Sequence, residues 1–285
     1  MRLRTIPSLL LLLALVVTAG CATKPATTDA PSLTAASADG SPIAYGSRGE
    51  GGPALVFIHC WTCNHGFWRN QIDHFAKKQQ VIWLDLAGHG RSGSRRTEYT
   101  IESFGEDVAA VVERAGARKV VLIGHSMGGP VAVEAAKRLG DRVVGIVGVD
   151  VFHTGFVYPT DPAKVKGFVA PFEKAFHAAS EGMVRTMFTP AADPREVEAI
   201  VAQFKDADPA MGISAMYALF DWQGHRAPGE LERFAPILRN INGAPNGDER
   251  PAHPSVTLIP GVGHFPAQIK PEAFNRELER IVAGF

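Results

Sequence analysis

Four short apolar runs mark the first half of the chain: Ala54–Ile58, Val81–Leu84, residues 119–123 and Val143–Val149. Apart from Lys119 they are apolar throughout rather than alternating, as strands buried on both faces of a parallel sheet are. Longer stretches with helical spacing separate them. Residues 101–117 set Phe104, Val108, Val111 and Val112 on one helix face, and residues 127–139 are rich in Ala, Val and straight side chains. The alternation predicts an α/β fold, a mostly parallel sheet covered by helices on both faces. After Val151 the rhythm stops. Residues 152–230 read as a helical insertion broken by Pro-containing turns. Its Phe168, Phe172, Phe176, Met183, Met187 and Phe188 are read first as helix-packing core and second as a substrate wall. Strands resume at residues 236–241 and Val256–Pro260, and a last helix spans Pro271–Val282.

The N-terminus follows a different rule. Arg2 and Arg4 precede nine consecutive apolar residues, 9–17, and then Thr18-Ala19-Gly20-Cys21. The run is short of the roughly 20 residues a membrane span needs, so a cleaved export signal over residues 1–20 is expected. Thr-Ala-Gly-Cys resembles a bacterial lipobox, which implies lipid attachment at Cys21. Residues 21–40, rich in Ala, Thr, Ser and Pro, read as a tether, leaving 41–285 as the folded domain. Ala22 after Cys21 is similar to lipoproteins sorted to an outer membrane where the host has one. The expected location is thus outside the cytoplasm, on a membrane. Basic and acidic residues balance at 29 each, which argues against a nucleic-acid partner.

Residues 119–123 lead into Gly124-His125-Ser126-Met127-Gly128-Gly129 and directly into a helix. This is G-x-S-x-G in its strand–turn–helix setting, where small flanking residues leave room for a sharp turn that presents the serine above the sheet. His125 is read as a packing residue, since neighbouring side chains at such a turn diverge. On these residues the chain resembles the α/β-hydrolase family from about Gly40 to Phe285. Two further segments carry the likeness. Phe57-Ile58-His59-Cys60-Trp61 resembles the His-Gly turn after the third strand, and Asp85-Leu86-Ala87-Gly88-His89-Gly90-Arg91-Ser92 resembles the loop after the fourth, with Ser92 structural.

The resemblance implies the order serine, acid, histidine. Ser126 is the expected nucleophile. His264, in Pro260-Gly261-Val262-Gly263-His264-Phe265-Pro266, matches the loop after the eighth strand and is the expected base. The acid has two candidates. Ala244 stands about where many family members carry it after the seventh strand, with Asp248 four residues on, whereas Asp150 ends the sixth strand, as in another subset. Asp150 is favoured because a strand end holds a carboxylate rigidly. The main-chain N–H groups of Trp61 and Met127 are the expected oxyanion donors, and Cys60, where the family usually has Gly, is expected to reshape that turn slightly.

With Cys21 assigned to lipid, Cys60 and Cys63 remain as either a disulfide or two buried thiols, with redox catalysis and zinc binding with His59 or His65 ranked well below. No cofactor or metal is required. The expected activity is hydrolysis of a small or medium carboxylic ester through an acyl-enzyme, with thioester, lactone and C–C cleavage open. Serine rather than aspartate at the nucleophile position argues against the haloalkane dehalogenase and epoxide hydrolase branches. A ligand-binding lipoprotein that keeps the fold but turns over poorly is the alternative.

Overall fold

The computed structural model describes residues 33–285. The signal-like segment, Cys21 and the tether up to residue 32 lie outside the described residues. Eight strands form one sheet: β1 (Leu33–Ala36), β2 (Pro42–Arg48), β3 (Ala54–Ile58), β4 (Val81–Leu84), β5 (Val120–His125), β6 (Val143–Val149), β7 (Leu238–Ala244) and β8 (Val256–Pro260). Their order is β1-β2-β4-β3-β5-β6-β7-β8. The pairings from β4 to β8 are parallel, and β1 and β2 add an antiparallel edge. The helices are α1 (Arg69–Phe75), α2 (Ile101–Arg114), α3 (Gly128–Leu139), α4 (Pro162–Arg185), α5 (Pro194–Val201), α6 (Pro209–Asp221), α7 (Ala227–Phe234), α8 (Pro266–Ile269) and α9 (Pro271–Val282).

The unbroken apolar runs have a direct cause. In β3 and β5, Val56, Ile58, Val120 and Leu122 face α2 and α3, while Leu55, Phe57, Val121 and Ile123 face α1 and α9. Alternate side chains thus enter different cores, and neither set can be polar.

Leu33–Ala36, within the stretch read as tether, is a strand instead. It pairs with β2 from Leu33 opposite Tyr45 to Ala36 opposite Pro42, and only Ala35 points into the core. A four-residue edge strand with one buried side chain has the composition of a linker. β7 runs on to Ala244 rather than stopping at residue 241, with its two asparagines buried and their amide N–H groups bonded: Asn240 Nδ2 donates to Ser255 Oγ at 3.1 Å and Asn242 Nδ2 to the Phe152 carbonyl at 2.9 Å.

The insertion lies between β6 and β7. α4, α5 and α6 each start with Asp-Pro, and Asp161, Asp193 and Asp208 accept from the N–H groups of Ala163, Arg195 and Met211. Proline fixes the first helical φ and aspartate caps the orphan donors. α7 extends the helical segment past residue 230 to Phe234, and Glu230 binds Lys137 of α3 at 2.7 Å, so this last helix rests on the body.

Candidate active site

β5 passes through His125 into Ser126, and α3 starts two residues later. Ser126 adopts φ 53°, a left-handed conformation costly for a residue with a Cβ, and its N–H is held by the Val149 carbonyl at 2.9 Å. The flanking glycines are required by space. A Cβ on Gly124 would fall on the Gly128 carbonyl, and one on Gly128 would lie 2.6 Å from the Ile58 carbonyl oxygen.

β6 and β8 deliver the other two groups at the same end of the sheet, where open parallel sheets place their clefts. Asp150 follows β6, and His264 lies in the loop after β8. His264 Nδ1 meets Asp150 Oδ2 at 2.6 Å, while the Gly243 N–H donates to Asp150 Oδ1 at 2.8 Å. Burial pushes the Asp150 carboxyl up, but the hydrogen bond and charge of His264, with the Gly243 N–H, outweigh it and leave the group below the usual carboxylate range. Asp248 is exposed, in the loop after β7. The His264 main chain is fixed on both sides: its N–H donates to the Met187 carbonyl at 3.0 Å, and its carbonyl accepts from His125 Nε2 at 2.7 Å.

Trp61 follows β3 and Met127 follows Ser126. Neither main-chain N–H has an acceptor among the described residues. Cys60 and Cys63 form a disulfide, and the residue with positive φ in this turn is Thr62, at 55°, rather than Cys60. His59 and His65 are taken up by other partners: His65 Nδ1 lies 2.9 Å from Asp85 Oδ1, and His59 bonds the Cys60 carbonyl and the Leu86 N–H. Ser92 is structural, its hydroxyl bridging Asp85 and the Ala44 N–H.

Ser126, Asp150, His264, Cys60 and Trp61 line one cavity of about 390 Å³, roofed by the insertion. Phe156, Tyr158, Phe168, Met183 and Phe220 are among the insertion residues that line it, and among the described residues no Lys, Arg or Glu does. The insertion's large side chains therefore divide: Phe168, Met183 and Met187 face the cavity, whereas Phe172 and Phe176 are buried packing residues against Trp61. Tyr158 keeps its proton firmly, since burial and the Asp150 charge push it up to about 12.

Residues 53–197, just over half of the chain, match a family model described as alpha/beta hydrolase fold. The chain belongs to the α/β-hydrolase fold family. It is similar to a pimeloyl-[acyl-carrier protein] methyl ester esterase of Yersinia enterocolitica, with 29% identity over 250 residues covering 80% of this chain and 92% of that one. The dihydrolipoyllysine-residue acetyltransferase component of the acetoin cleaving system of Cupriavidus necator is 31% identical over 135 residues, or 47% of this chain. The match spans only 36% of that relative's length. Among solved structures, a thermophilic esterase from Thermogutta terrifontis superposes with a TM-score of 0.72 at 20% identity, covering 88% of this chain and 98% of that one, a likeness of fold.

Two features of this hydrolase had no sequence signal: the Gly243 amide on Asp150, which comes from a main chain rather than a side chain, and the His125 bond to the His264 carbonyl. His125 is legible only as part of the elbow.

Buried histidines are expected to weaken the α/β-hydrolase domain in acid. Burial, together with the charge of neighbouring histidines, lowers His89 and His125 from 6.5 to about 3, and burial lowers His59 as well. Below pH 6.5 the unfolded chain takes up protons that the folded chain refuses. The contribution of these histidines to stability is therefore complete above about pH 6.5 and is lost as pH falls toward 3. At about 1.4 kcal/mol per pH unit, His89 and His125 each withdraw on the order of 2 kcal/mol at pH 5. Urea unfolding at pH 7.5, 6 and 5 is expected to show this decline, and a flat profile would show that these rings take up protons while folded.

Proposed function

We propose that this chain is a serine hydrolase that cleaves small or medium uncharged carboxylic esters through an acyl-enzyme. The observation that carries the reading is the 2.6 Å contact of His264 with Asp150 in the cavity that also holds Ser126 at φ 53°. Asp150 accepts the Nδ1 proton of His264, which leaves Nε2 as the basic nitrogen. Ser126 Oγ attacks the ester carbonyl carbon and its proton passes to Nε2. The negative charge on the former carbonyl oxygen is held by the Trp61 and Met127 N–H groups. Collapse breaks the bond to the alcohol, which leaves with the proton from His264. Water then gives a proton to His264 and attacks the acyl-enzyme, and the acid departs as Ser126 regains its proton.

The roof supports the substrate class. An aromatic and Met-lined cavity without a cation gives nothing to pair with an anionic acyl group, and its volume suits a short or medium chain. Export and a lipid anchor at Cys21 belong to the same reading. Export is supported by the Cys60–Cys63 disulfide, because such bonds persist in oxidising compartments, and the anchor by the lipobox-like Thr18-Ala19-Gly20-Cys21.

The test is a fluorophosphonate probe with p-nitrophenyl butyrate and hexanoate. One probe per chain, located on Ser126 by peptide mass, and a p-nitrophenol burst equal to the enzyme concentration are expected. An unlabelled Ser126, with esters bound but not cleaved, would replace the enzyme by a ligand-binding protein.

A further inference from the structure

The turn that carries the Trp61 N–H is built on an unfavourable residue. Cys60 to Cys63 form a four-residue turn, closed by the Cys63 N–H donating to the Cys60 carbonyl at 3.2 Å. Thr62, its third residue, sits at φ 55°, where a type II turn asks for glycine or asparagine. A β-branched side chain crowds its own main chain there. The Thr62 hydroxyl offsets part of this by donating to the Trp61 carbonyl at 2.8 Å. The disulfide closes the same two ends, whose Cα atoms lie 5.2 Å apart.

What this turn holds is one peptide plane. The Cys60 carbonyl and the Trp61 N–H belong to the same trans peptide and point in opposite directions. The carbonyl has a second donor in His59. Because the Leu86 N–H donates to His59 Nε2 at 3.0 Å, the neutral ring carries its proton on Nδ1, which donates to Cys60 at 2.8 Å. Two donors on the carbonyl thus fix the direction of the Trp61 N–H on the other side. Beyond the peptide, the Trp61 indole donates to the Gly212 carbonyl of α6 at 2.8 Å, which seats the turn under the insertion.

We propose that the Cys60–Cys63 disulfide is a positioning element for the oxyanion donor at Trp61, so that turnover depends on its oxidation state. The proposal rests on the serine-hydrolase reading above. An external dithiol transfers two electrons and two protons to the disulfide, leaving two thiols, and is itself oxidised to a cyclic disulfide. No bond to the substrate is involved. With the staple open, Thr62 relaxes toward negative φ, and the Cys60–Trp61 peptide turns away from the position where an oxyanion forms. Complete loss of one such donor costs about 100- to 1,000-fold in kcat, so misalignment is expected to cost about 10- to 100-fold.

The experiment compares the full chain as isolated, after dithiothreitol, after reoxidation, and as the Cys60→Ser/Cys63→Ser double variant. Readouts are kcat and KM on p-nitrophenyl butyrate and the affinities of two ketones of one skeleton. A trifluoromethyl ketone adds to Ser126 and creates an oxyanion, whereas the methyl ketone only fills the cavity. The opened forms are expected to lose kcat and trifluoromethyl ketone affinity in parallel. KM and methyl ketone affinity stay within twofold, and reoxidation restores kcat. Adding Thr62→Gly to the double variant recovers much of the loss, since glycine accepts φ 55° without the disulfide. Opened forms that retain kcat within twofold overturn the proposal. So do opened forms that lose both ketones together with thermal stability, which is a general structural loss. An oxidised enzyme that fails to label with fluorophosphonate overturns the underlying hydrolase reading, whereas a labelled enzyme indifferent to reduction overturns only the positioning role.

Discussion

Replacing Ser126 by Ala is expected to lower kcat on p-nitrophenyl esters about a million-fold while KM stays within a few-fold. That is the order of loss when the nucleophile of a triad acting as a unit is removed, the remainder coming from binding and oxyanion donors. The cavity is walled by side chains other than Ser126, so ground-state binding survives. Stability provides the control. Alanine keeps the φ 53° cost at position 126, so its melting temperature should stay close to that of the parent, whereas Ser126→Gly removes that cost. The glycine variant should be equally inactive and more heat-stable than the alanine variant, as expected where strain serves function. Turnover by Ser126→Ala within tenfold of the parent would show that another group attacks the ester.

The parts of this site that were legible in sequence are those in which the main chain restricts residue type. Gly124 and Gly128 are small because carbonyl oxygens occupy the space of their Cβ atoms, and that requirement leaves a pattern in the chain. The uninterrupted runs in β3 and β5 are apolar because two cores share them. His264 is marked only by chain order under the family resemblance. Where a side chain's partner is main chain from a distant element, nothing marks it. The Gly243 amide holds Asp150 across 93 residues of sequence, and no residue type is needed to supply an amide.

The less legible parts follow the same logic. β1 needs only Ala35 inside, and β7 carries two buried asparagines, so neither reads as an apolar strand. Cys60 and Cys63 are three apart, a spacing compatible with both thiols and a disulfide until the turn brings their ends together. In α4, Phe168, Phe172 and Phe176 follow one another four residues apart, so helical spacing gives them the same character and cannot sort cavity-facing Phe168 from packed Phe172 and Phe176. The residues of the insertion that line the cavity lie where the sequence pattern is least distinctive, whereas Ser126 and Asp150 follow strands that read as unbroken apolar runs.

That contrast bears most directly on the acid. Asp150→Asn is expected to reduce kcat about 10,000-fold, and Asp248→Asn to leave it within twofold. The reason is the arrangement of protons. Asp150 accepts twice, from the Gly243 N–H at Oδ1 and from His264 Nδ1 at Oδ2. An asparagine has one oxygen for these two donors. If that oxygen keeps the Gly243 N–H, its NH₂ faces His264 and forces the imidazole proton onto Nε2. The ring then presents an N–H to Ser126 and has no lone pair there to take the serine proton. Geometry and fold survive, since the amide fills the same volume, so the melting temperature should move by only a few degrees while kcat collapses. Because the Asp150 carboxyl is held below its ordinary value of 3.8, its own protonation does not limit the enzyme at mildly acidic pH. The two variants measured side by side on one ester decide the assignment. Collapse in Asp248→Asn with Asp150→Asn active would move the acid to the loop after β7 and leave the 2.6 Å contact of His264 with Asp150 as a structural bond.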